Sequence, residues 1–220
     1  PGAYFDDICY EDVTPEPCEN FDDLMVGGYV AEQLGGVWTT WSGTPGSAED
    51  AIVDDTYSFS PSNSFRVDPN VDLLRTFGNS ALTEGAWLYS HQMYVASGTT
   101  GYFNVQSDPA PGVAWVIEIT FNDGGTGTFV VDGTTTDFTY TQDEWFWVGV
   151  NIDVDNGLGD VWFDNNIVHS FETANTIGGI DYYGYNVGGD PGAYYDDVCF
   201  SDEGWVIIGI GEQYMSDLQV

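Results

Sequence analysis

Residues 145–154 read Trp-Phe-Trp-Val-Gly-Val-Asn-Ile-Asp-Val, and this stretch decides the fold. From position 146 onward an apolar side chain occupies every second position, which is the pattern of an antiparallel strand with one buried face. Residues 87–95 and 113–121 show the same alternation. Several strands of this kind predict an all-β chain in which two antiparallel sheets pack into a sandwich.

The rest of the sequence also favours strands. The chain contains 28 glycines, and 16% of its residues are aromatic. Shorter strands are expected at 20–25, 37–42, 51–54 and 64–67, and a tight hairpin turn is expected at Asn165-Asn166. No helix is predicted anywhere in the chain.

The deciding stretch and the hairpin that follows it carry a family resemblance. Trp147-Val-Gly-Val-Asn-Ile-Asp-Val-Asp, then Gly159-Asp-Val-Trp-Phe-Asp-Asn-Asn-Ile-Val, resembles two consecutive strands of laminin-G-like and concanavalin A-like jelly rolls. Asn166 stands where that hairpin usually has glycine. The resemblance implies a two-sheet antiparallel jelly-roll β-sandwich.

The two ends of the domain support the same resemblance. Phe21-Asp-Asp-Leu and Tyr194-Tyr-Asp-Asp-Val are similar to the first and last strands of carbohydrate-binding jelly rolls, so the likeness spans roughly residues 20–202. Such folds host lectins, adhesins, glycanases and inert spacers, so the resemblance implies a fold more than a function. The tail, Met215-Ser-Asp-Leu-Gln-Val, resembles the lead-in to the sorting domain of bacterial type IX secretion.

The charge of the chain restricts its partners. Thirty-six acidic residues face two basic ones, Arg66 and Arg75, and the formal net charge is -34. Such a surface repels nucleic acid and anionic membranes, so neither is expected as a partner. No apolar run is long enough to insert into a bilayer. Self-repulsion favours bound divalent cations or a salty medium; the alternative is acidity that serves solubility alone.

Two adjacent pairs of aspartates predict a cation site. The first and last strands of a jelly roll are commonly neighbours, and clustered carboxylates repel one another unless a cation neutralises them. Related carbohydrate-binding modules carry a structural calcium here, so the resemblance implies Ca²⁺ as a cofactor. Because only one member of each pair can point at the site, Asp22 and Asp197 are favoured, with Glu49 or Asp50. The alternative is solvated acids at strand ends. The full candidate set is Asp22, Asp23, Glu49, Asp50, Asp196 and Asp197.

A second acidic stretch, residues 153–160, partly mimics a calcium loop. It lacks the third oxygen ligand and the distal glutamate of an EF-hand. Its Asp, Asn and Gly content is also that of a hairpin turn, and the turn is the favoured interpretation.

Two groups of residues are candidates for sugar binding, because aromatic rings stack on pyranose rings while polar neighbours hold the hydroxyls. Trp147 lies on the polar face of its strand with Asn151, and Tyr182, Tyr183 and Tyr185 form another platform. The favoured alternative for both groups is packing between the sheets.

Catalytic signatures are missing from the sequence. Glycanases need two carboxylates flanking the scissile bond. The Glu-x-Asp-x-x-Glu strand of concanavalin A-like glycanases is absent, and its nearest relative, residues 151–155, has no glutamate. His91 and His169 have no Ser or Cys nucleophile motif near them and fit ordinary strand histidines. We therefore expect a protein that is not an enzyme.

The closing strand occurs twice in the chain. Positions 1, 2, 3, 4, 6, 7, 9 and 12 are identical to positions 191, 192, 193, 194, 196, 197, 199 and 202, so 8 of 12 residues match at an offset of 190. This offset is the size of a domain and predicts an array of similar units. Residues 1–12 are then the closing strand of a preceding repeat or an exchanged strand. Residues 13–17 form a proline-stiffened linker, residues 18–203 the domain, and residues 204–220 a terminal strand and tail.

Two pairings of the three cysteines fit the organisation of the chain. Cys18–Cys199 would tie the ends of the domain together, whereas Cys9–Cys18 would cross the linker and leave Cys199 free. An array of identical units favours the first pairing. No Cys-x-x-Cys motif is present.

The spare closing strand and an apolar run at 205–210 predict assembly with copies of this chain or with similar tandem domains. An unpaired β-prone strand gains hydrogen bonds and apolar burial by completing a neighbour's sheet. The side chains expected to carry this contact are Tyr4, Phe5, Ile8, Trp205, Val206, Ile207 and Ile208.

These features lead to two functional hypotheses. The first is a non-catalytic extracellular module of a bacterial surface protein, structural or adhesive, that could form filaments through its terminal strands. The alternative is a carbohydrate-binding, lectin-like module of a larger secreted enzyme, with a glycan as its partner.

Overall fold

The computed structural model describes residues 18–184 and 192–202, together with the backbone of two short strands at 207–209 and 212–213. Its elements are α1 (Val30–Leu34), β1 (Trp38–Thr40), β2 (Ile52–Asp54), β3 (Ser64–Arg66), β4 (Asp72–Thr76), β5 (Ala86–Tyr94), β6 (Gly101–Gln106), β7 (Trp115–Asn122), β8 (Thr126–Val131), β9 (Thr134–Thr139), β10 (Trp145–Asp153), β11 (Leu158–Phe163), β12 (Asn166–Glu172), β13 (Gly179–Tyr183), β14 (Tyr194–Ser201), β15 (Ile207–Gly209) and β16 (Glu212–Gln213).

Fourteen of these strands form two antiparallel sheets of seven strands each. The front sheet has the order β1-β4-β13-β6-β7-β8-β9, and the back sheet has the order β12-β11-β10-β5-β14-β3-β2. β15 and β16 pair with each other. The sheets pack face to face, so the predicted two-sheet antiparallel jelly-roll β-sandwich is confirmed.

The core lies between the two sheets and is rich in aromatic rings. Phe65 of β3 stacks on Tyr195 of β14 at 5.2 Å between ring centroids, and both residues are fully buried. Several polar atoms inside the core are paired with one another, whereas Nε2 of His91 has no partner among the described residues. The Tyr89 hydroxyl bonds His91 Nδ1 at 2.6 Å and also the Tyr182 hydroxyl. Burial lowers the pKa of His91 to about 3, so this histidine is a neutral core residue.

The alternation that predicted the long strands matches the structure. In β10 the apolar residues Phe146, Val148, Val150 and Ile152 are buried in the core, and the residues between them from Gly149 to Asp153 are buried as well. The strand predicted at 113–121 begins later, at Trp115, and Val113 is 63% exposed. Residues ahead of Trp115 belong to a loop, so the apolar side chain of Val113 never reaches the core.

The strand predicted at 20–25 is wrong, because this segment folds as a turn. Phe21 has a φ of 63°, and its carbonyl accepts the Leu24 N–H at 3.1 Å. The side chain of Asn63 donates to the carbonyls of residues 21, 22 and 24 at 3.1–3.3 Å. A distant amide side chain therefore satisfies backbone groups that a neighbouring strand would otherwise bond. A single bridge pairs Glu19 with Val198.

One short helix, α1, is present where none was predicted. Tyr29, the residue that precedes the helix, provides no side-chain cap. Instead the buried carboxylate of Asp50 accepts the N–H groups of Ala31 at 2.9 Å and Glu32 at 3.0 Å, and also that of Gly46 at 2.9 Å. Free N–H groups at a helix start need such acceptors. Here the acceptor lies too far along the chain to be visible as a local capping signal.

The hairpin after β11 turns one residue earlier than predicted. Asp164 and Asn165 form the turn, with Asp164 at a φ of 51°, and Asn166 already belongs to β12. Aspartate tolerates this left-handed conformation and its carboxylate accepts the Trp147 N–H at 3.0 Å.

A disulfide joins Cys18 to Cys199 across a sequence separation of 181, with the Cα atoms 4.4 Å apart. It fixes the segment that precedes Phe21 to the last strand of the back sheet. This is the pairing that the array of similar units favoured over Cys9–Cys18.

Several predicted residues lie outside the described part of the chain. Among them are the assembly residues Tyr4, Phe5, Ile8, Trp205 and Val206, together with Tyr185 of the tyrosine platform. For Ile207 and Ile208 the structure gives only the backbone, in β15. Within the described residues no helix is long and apolar enough to cross a membrane.

Candidate functional site

A groove crosses the outer face of the front sheet, and we call it the outer groove. It encloses about 310 Å³, which is the size of a small ligand site. Its floor comes from the neighbouring strands β4, β13 and β6, and its walls come from β7 and from the loop after β1. The lining residues are Trp41, Asp72, Tyr102, Asn104, Trp115, Asp181 and Tyr183.

Strand alternation places the polar floor residues on the outer face. In β6 the neighbours of Asn104, Phe103 and Val105, are buried in the core. In β13 the neighbours of Asp181 are likewise core residues. Successive side chains of a strand point to opposite faces, and Asn104 and Asp181 are directly opposite each other in the ladder. The two polar side chains therefore meet at the centre of the sheet.

A line of hydrogen bonds crosses the floor from β7 to β13. The Tyr102 hydroxyl donates to Glu118 Oε2 at 2.9 Å. Asn104 Nδ2 donates to Asp181 Oδ2 at 2.7 Å and to the Tyr102 hydroxyl at 3.3 Å. Three strands thus hold the polar groups of the floor in fixed positions before any ligand arrives.

Asp72 and Asp181 form a pair of interacting carboxyl groups at one end of this line. Burial raises the pKa of Asp181 to about 8, and the charge of Asp72 and a hydrogen bond with it act in the same direction. Burial raises the pKa of Asp72 to about 6, with a further contribution from the charge of Glu49, while the hydrogen bond with Asp181 opposes the shift. Two close carboxyl groups titrate as a unit. Near neutral pH this pair retains one proton, on Asp181.

Three buried polar atoms of the groove lining have no further hydrogen-bond partner among the described residues. Apart from a proton shared by the two carboxyl groups, these atoms are Oδ1 of Asp72, Oδ1 of Asp181 and Oδ1 of Asn104. Asn104 is 1% exposed and Asp181 is 4% exposed. Buried polar groups in folded proteins are almost always paired. A cluster of unpaired ones beside a groove is the arrangement expected where a ligand supplies the missing partners.

Aromatic rings form the walls of the groove. Trp115 is 43% exposed and Tyr183 is 41% exposed, so both rings offer a face or edge to solvent. Tyr183 meets the Tyr102 ring edge to face, with centroids 6.0 Å apart. On the opposite side Gly112 approaches the Trp41 ring so closely that a Cβ atom would lie 3.1 Å from it. Large rings held in place around a polar floor suit a flat ligand with one apolar face.

The groove has no positive charge of its own. The chain has no lysine, and each of its two arginines is engaged by acids elsewhere. Arg66 forms ion pairs with Asp54 and Asp68, and Arg75 forms one with Glu19 at 3.4 Å. Carboxyl groups therefore dominate the electrostatic potential of the groove.

The six acids predicted to bind calcium are spread over several hydrogen-bonding roles. Asp196 Oδ2 accepts the N–H groups of residues 59 and 60 at 2.8 and 3.1 Å, and Asp197 Oδ1 accepts the Ser60 hydroxyl at 2.8 Å. Asp22 accepts the Asn63 N–H at 2.9 Å. Glu49 accepts the N–H of residue 42, Asp50 caps α1, and Asp23 is exposed. Within residues 18–184 and 192–202, no group of three or more His, Cys, Asp or Glu side chains is placed to hold a metal ion.

The acidic stretch at 153–160 adopts the turn that its composition favoured. Residues 154–157 connect β10 to β11. Asp153 accepts the backbone N–H of Asn156 at 3.0 Å and its side-chain amide at 2.7 Å. The Asp and Asn side chains are therefore used to shape the hairpin.

The residues predicted to bind sugar are not brought together by the structure. Trp147 lies on the back sheet, with its ring over Gly149, and Asn151 on the same strand is fully buried. Tyr182 is a core residue, whereas its neighbour Tyr183 points to the opposite face and lines the outer groove. Of the described candidates, Tyr183 alone is part of the groove.

Sequence reasoning missed the other residues of the groove. The available signal was a polar side chain between two core residues, as at Asn104 and Asp181, on strands that otherwise read as apolar. The alternation of 113–121 predicts Trp115 on the buried face of Ile117 and Ile119. This prediction is wrong, because the ladder with β6 shifts register at this end of β7 and leaves Trp115 43% exposed. The polar pattern does not show which strands become neighbours, so the convergence of β4, β13, β6 and β7 is visible in the structure alone.

Two solved structures that resemble this chain are carbohydrate-active proteins. The catalytic domain of a glycoside hydrolase family 131 protein from Coprinopsis cinerea matches with a TM-score of 0.54 and 13% identity, over 83% of this chain and 92% of that domain. A sialidase matches with a TM-score of 0.52 and 10% identity, over 80% of this chain and 18% of the sialidase. The chain thus spans less than a fifth of the sialidase.

At these identities the likeness shows the fold alone. The chain has the jelly-roll, concanavalin A-like β-sandwich architecture of those domains. No protein-family model matches the chain, and no curated protein matches it in sequence.

Proposed function

We propose that this chain is a carbohydrate-binding module and that the outer groove is its binding site. The observation that carries the proposal is the combination of exposed aromatic rings with buried, unpartnered polar atoms in one groove. Trp115 and Tyr183 supply surfaces for stacking on a sugar ring. Asn104, Asp72 and Asp181 supply polar atoms that sugar hydroxyls would satisfy.

The same groove supports binding without catalysis. In glycoside hydrolases the two catalytic carboxyl groups lie about 5–5.5 Å or about 6.5–9.5 Å apart, so that the sugar or a water molecule fits between them. Asp72 and Asp181 are instead close enough to share a hydrogen bond. They act as a single recognition group in this proposal, and the bound glycan leaves unchanged.

Calorimetric titration of the protein with a panel of neutral, amino and acidic oligosaccharides tests the binding function. We expect at least one oligosaccharide to bind, and Trp115→Ala to weaken that binding by about tenfold or more, because a stacked aromatic ring contributes on the order of 1–3 kcal/mol at comparable sites. Trp147→Ala is the matched control, since it removes a tryptophan from the other sheet. Equal losses in both variants, or no binding to any member of the panel, would contradict the groove as a glycan site.

A structural or adhesive role at a bacterial cell surface is the second candidate function. It is supported by the repeat of the closing strand at residues 1–12 and 191–202, and its laminin-G-like and type IX features come from the sequence resemblance. The disulfide fits an oxidising, extracellular location. In this candidate function the chain joins copies of itself or similar tandem domains through its terminal strands.

Electron microscopy and sedimentation of the chain, with and without residues 1–12, test that second function. Filaments or oligomers that vanish with the truncation support strand exchange. If both forms remain monomeric at high concentration with calcium present, assembly through the terminal strands is wrong.

A further inference from the structure

We propose that the outer groove selects a sugar carrying a free, protonated amino group, such as a glucosamine unit, over its neutral N-acetylated or acidic counterparts. The inference rests on the proposed glycan-binding function and specifies its ligand class. It follows from three properties of the floor: an excess of acceptor atoms, a negative charge without a cation, and adjacent aromatic rings.

The central residues of the floor offer more hydrogen-bond acceptors than donors. Oδ1 of Asp72, Asp181 and Asn104 are buried and accept no hydrogen bond from any other described group. The proton shared by Asp72 and Asp181 satisfies some of the hydrogen-bonding capacity of these two carboxyl groups. Oδ1 of Asn104 remains as an acceptor without a donor among the described residues. A hydroxyl or acetamide group offers one donor, whereas an ammonium group offers three. The ammonium group is therefore the sugar substituent whose donors best match this floor.

The charge of the floor favours the same substituent. The Asp72–Asp181 pair carries one proton near neutral pH and hence one negative charge. The acids around the pair are Glu49, which acts on Asp72, and Glu118, which is linked to it through Tyr102 and Asn104. Hydrogen bonds between an ammonium group and a carboxylate are about twice as strong as neutral ones. A sugar carboxylate would instead add a like charge to a buried acid.

The exclusion of acidic sugars follows from the positions of both arginines. Recognition of a sugar carboxylate usually needs a guanidinium or ammonium group. Arg66 is held by Asp54 and Asp68, and Arg75 is held by Glu19 and lies over the Phe200 ring. Neither arginine lines the outer groove.

The aromatic walls are compatible with a cationic ligand. A cation within about 6 Å of an aromatic ring face gains on the order of 0.5–2 kcal/mol. Trp115, Trp41 and Tyr183 surround the acid pair. The walls would therefore stabilise the charged amine as well as the apolar face of the sugar ring.

The test compares two oligosaccharides with the same backbone, β-1,4-linked glucosamine and β-1,4-linked N-acetylglucosamine, together with an oligouronate. Affinities are measured by calorimetry near neutral pH and at near-physiological salt. We expect the glucosamine oligomer to bind at least ~10-fold more tightly than the acetylated one, as one charge-assisted hydrogen bond would provide. The oligouronate is expected not to bind.

Variants separate the groove from the general acidity of the chain. Asp72→Asn removes the negative charge of the pair from the floor, so we expect it to abolish the preference for glucosamine. Asp55→Asn removes the same charge from an exposed position outside the groove and is expected to leave the preference unchanged. Binding of the acetylated oligomer, measured in parallel, shows that each variant is folded and still stacks a sugar.

The outcomes distinguish the two proposals. Equal affinity for both amino-sugar oligomers, or an equal loss of preference in the two variants, would overturn the selection for an amine while glycan binding stands. Absence of binding to every oligosaccharide would overturn the glycan site itself, and the selection with it. Binding of the oligouronate with comparable affinity would also overturn the selection.

Discussion

Asp181 is a carboxyl group buried in a sheet without a cation beside it. Its neighbours on the floor are the amide of Asn104 and a second acid, Asp72. A buried charge is costly, and a protein reduces the cost by pairing the charge or by keeping the group protonated. This chain does the latter, since the pKa of Asp181 is raised to about 8. A residue that costs stability where it serves no packing purpose is typical of binding sites.

Gly192 lies where the backbone of another segment leaves no room for a side chain. A Cβ atom at this position would lie 1.8 Å from the backbone carbonyl oxygen of Val67, which cannot move aside. Gly149 is also crowded, but there a Cβ atom would meet the far end of the Trp147 ring at 2.1 Å, and the ring can rotate away. Close approach of the backbone therefore explains the glycine in the Pro-Gly-Ala stretch that begins the closing strand.

We predict that Gly192→Ala lowers the free energy of unfolding by at least ~2 kcal/mol, because overpacking against backbone forces a shift of β14. Gly149→Ala is expected to cost roughly 1 kcal/mol or less and to change the tryptophan fluorescence. Urea denaturation of both variants gives the two values. A Gly192→Ala variant as stable as the Gly149→Ala variant would contradict the backbone clash.

At the scale of elements, the long strands were predictable because one pattern covers many residues. Five alternating positions in 145–154 leave little freedom in which face is buried. The segment at 20–25 and α1 were not predictable, because the groups that satisfy their backbones, Asn63 and Asp50, lie far along the chain. The conformational preferences of a short segment do not reveal hydrogen-bond partners that lie far along the chain.

The outer groove was unpredictable for a related reason. Asp72, Asn104 and Asp181 come from three strands that are distant in sequence and adjacent in the sheet. Their polarity is visible in the sequence, but their convergence depends on strand order. Tyr182 and Tyr183 lie on opposite faces of their sheet, because adjacent residues of a strand point in opposite directions, and Tyr185 lies outside the described residues.

The segment before Phe21 depends on the disulfide for its attachment to β14. Beyond the Cys18–Cys199 bond, it is held by the Glu19–Val198 bridge and the Glu19–Arg75 ion pair. We predict that Cys18→Ser combined with Cys199→Ser lowers the free energy of unfolding by on the order of 4–5 kcal/mol, from the chain entropy of so long a loop.

Thermal and urea denaturation of that double variant measure the loss, and peptide mapping without reductant checks the pairing in the parent protein. Hydrogen exchange should rise first in residues 18–24, because they lose their covalent anchor. A peptide linking Cys9 to Cys18 would contradict the pairing, and an unchanged stability would contradict the entropic contribution.

At the scale of the whole molecule, the raised carboxyl pKa values give the stability an unusual dependence on pH. Burial raises the pKa of Asp72 to about 6, of Asp196 to about 7 and of Asp181 to about 8. A group with a higher pKa in the folded state binds its proton more tightly when folded. The resulting stabilisation is complete below the unfolded value of about 3.9 and is lost as the pH rises through the folded pKa.

We therefore predict that the melting temperature falls between pH about 4 and pH about 8. Repulsion within a chain of net charge -34 acts in the same direction. Asp181→Asn should flatten the upper part of this decline, whereas Asp55→Asn should not. Calorimetric scans across this pH range check the slope, and a melting temperature that rises steadily towards pH 8 would contradict the role of the buried acids.

Calcium binding stays a prediction, and its expected effect is on the stability of the whole molecule. A structural ion would be expected to stabilise by about 2.7 kcal/mol at a hundredfold excess over its dissociation constant. We expect a chelator to lower the melting temperature, magnesium to restore it less well than calcium, and Asp197→Asn to reproduce much of the loss. Because asparagine tolerates the φ of 47° at this position, the variant tests the carboxylate alone. An unchanged melting temperature in excess chelator rules the ion out.

The Cys18–Cys199 bond also has a mechanical consequence. A tensile load applied to the backbone on the far sides of these two cysteines passes from one sulfur atom to the other and bypasses both sheets, whose residues lie within the covalent loop apart from Phe200 and Ser201 at the end of β14. The oxidised domain is therefore an inextensible link under tension, however weak its sheets are. Reduction would place a separation of 181 residues under load, and unfolding would then add roughly 600 Å at about 3.4 Å per residue. The redox conditions around the protein would thus decide whether the domain keeps its length or unfolds under load.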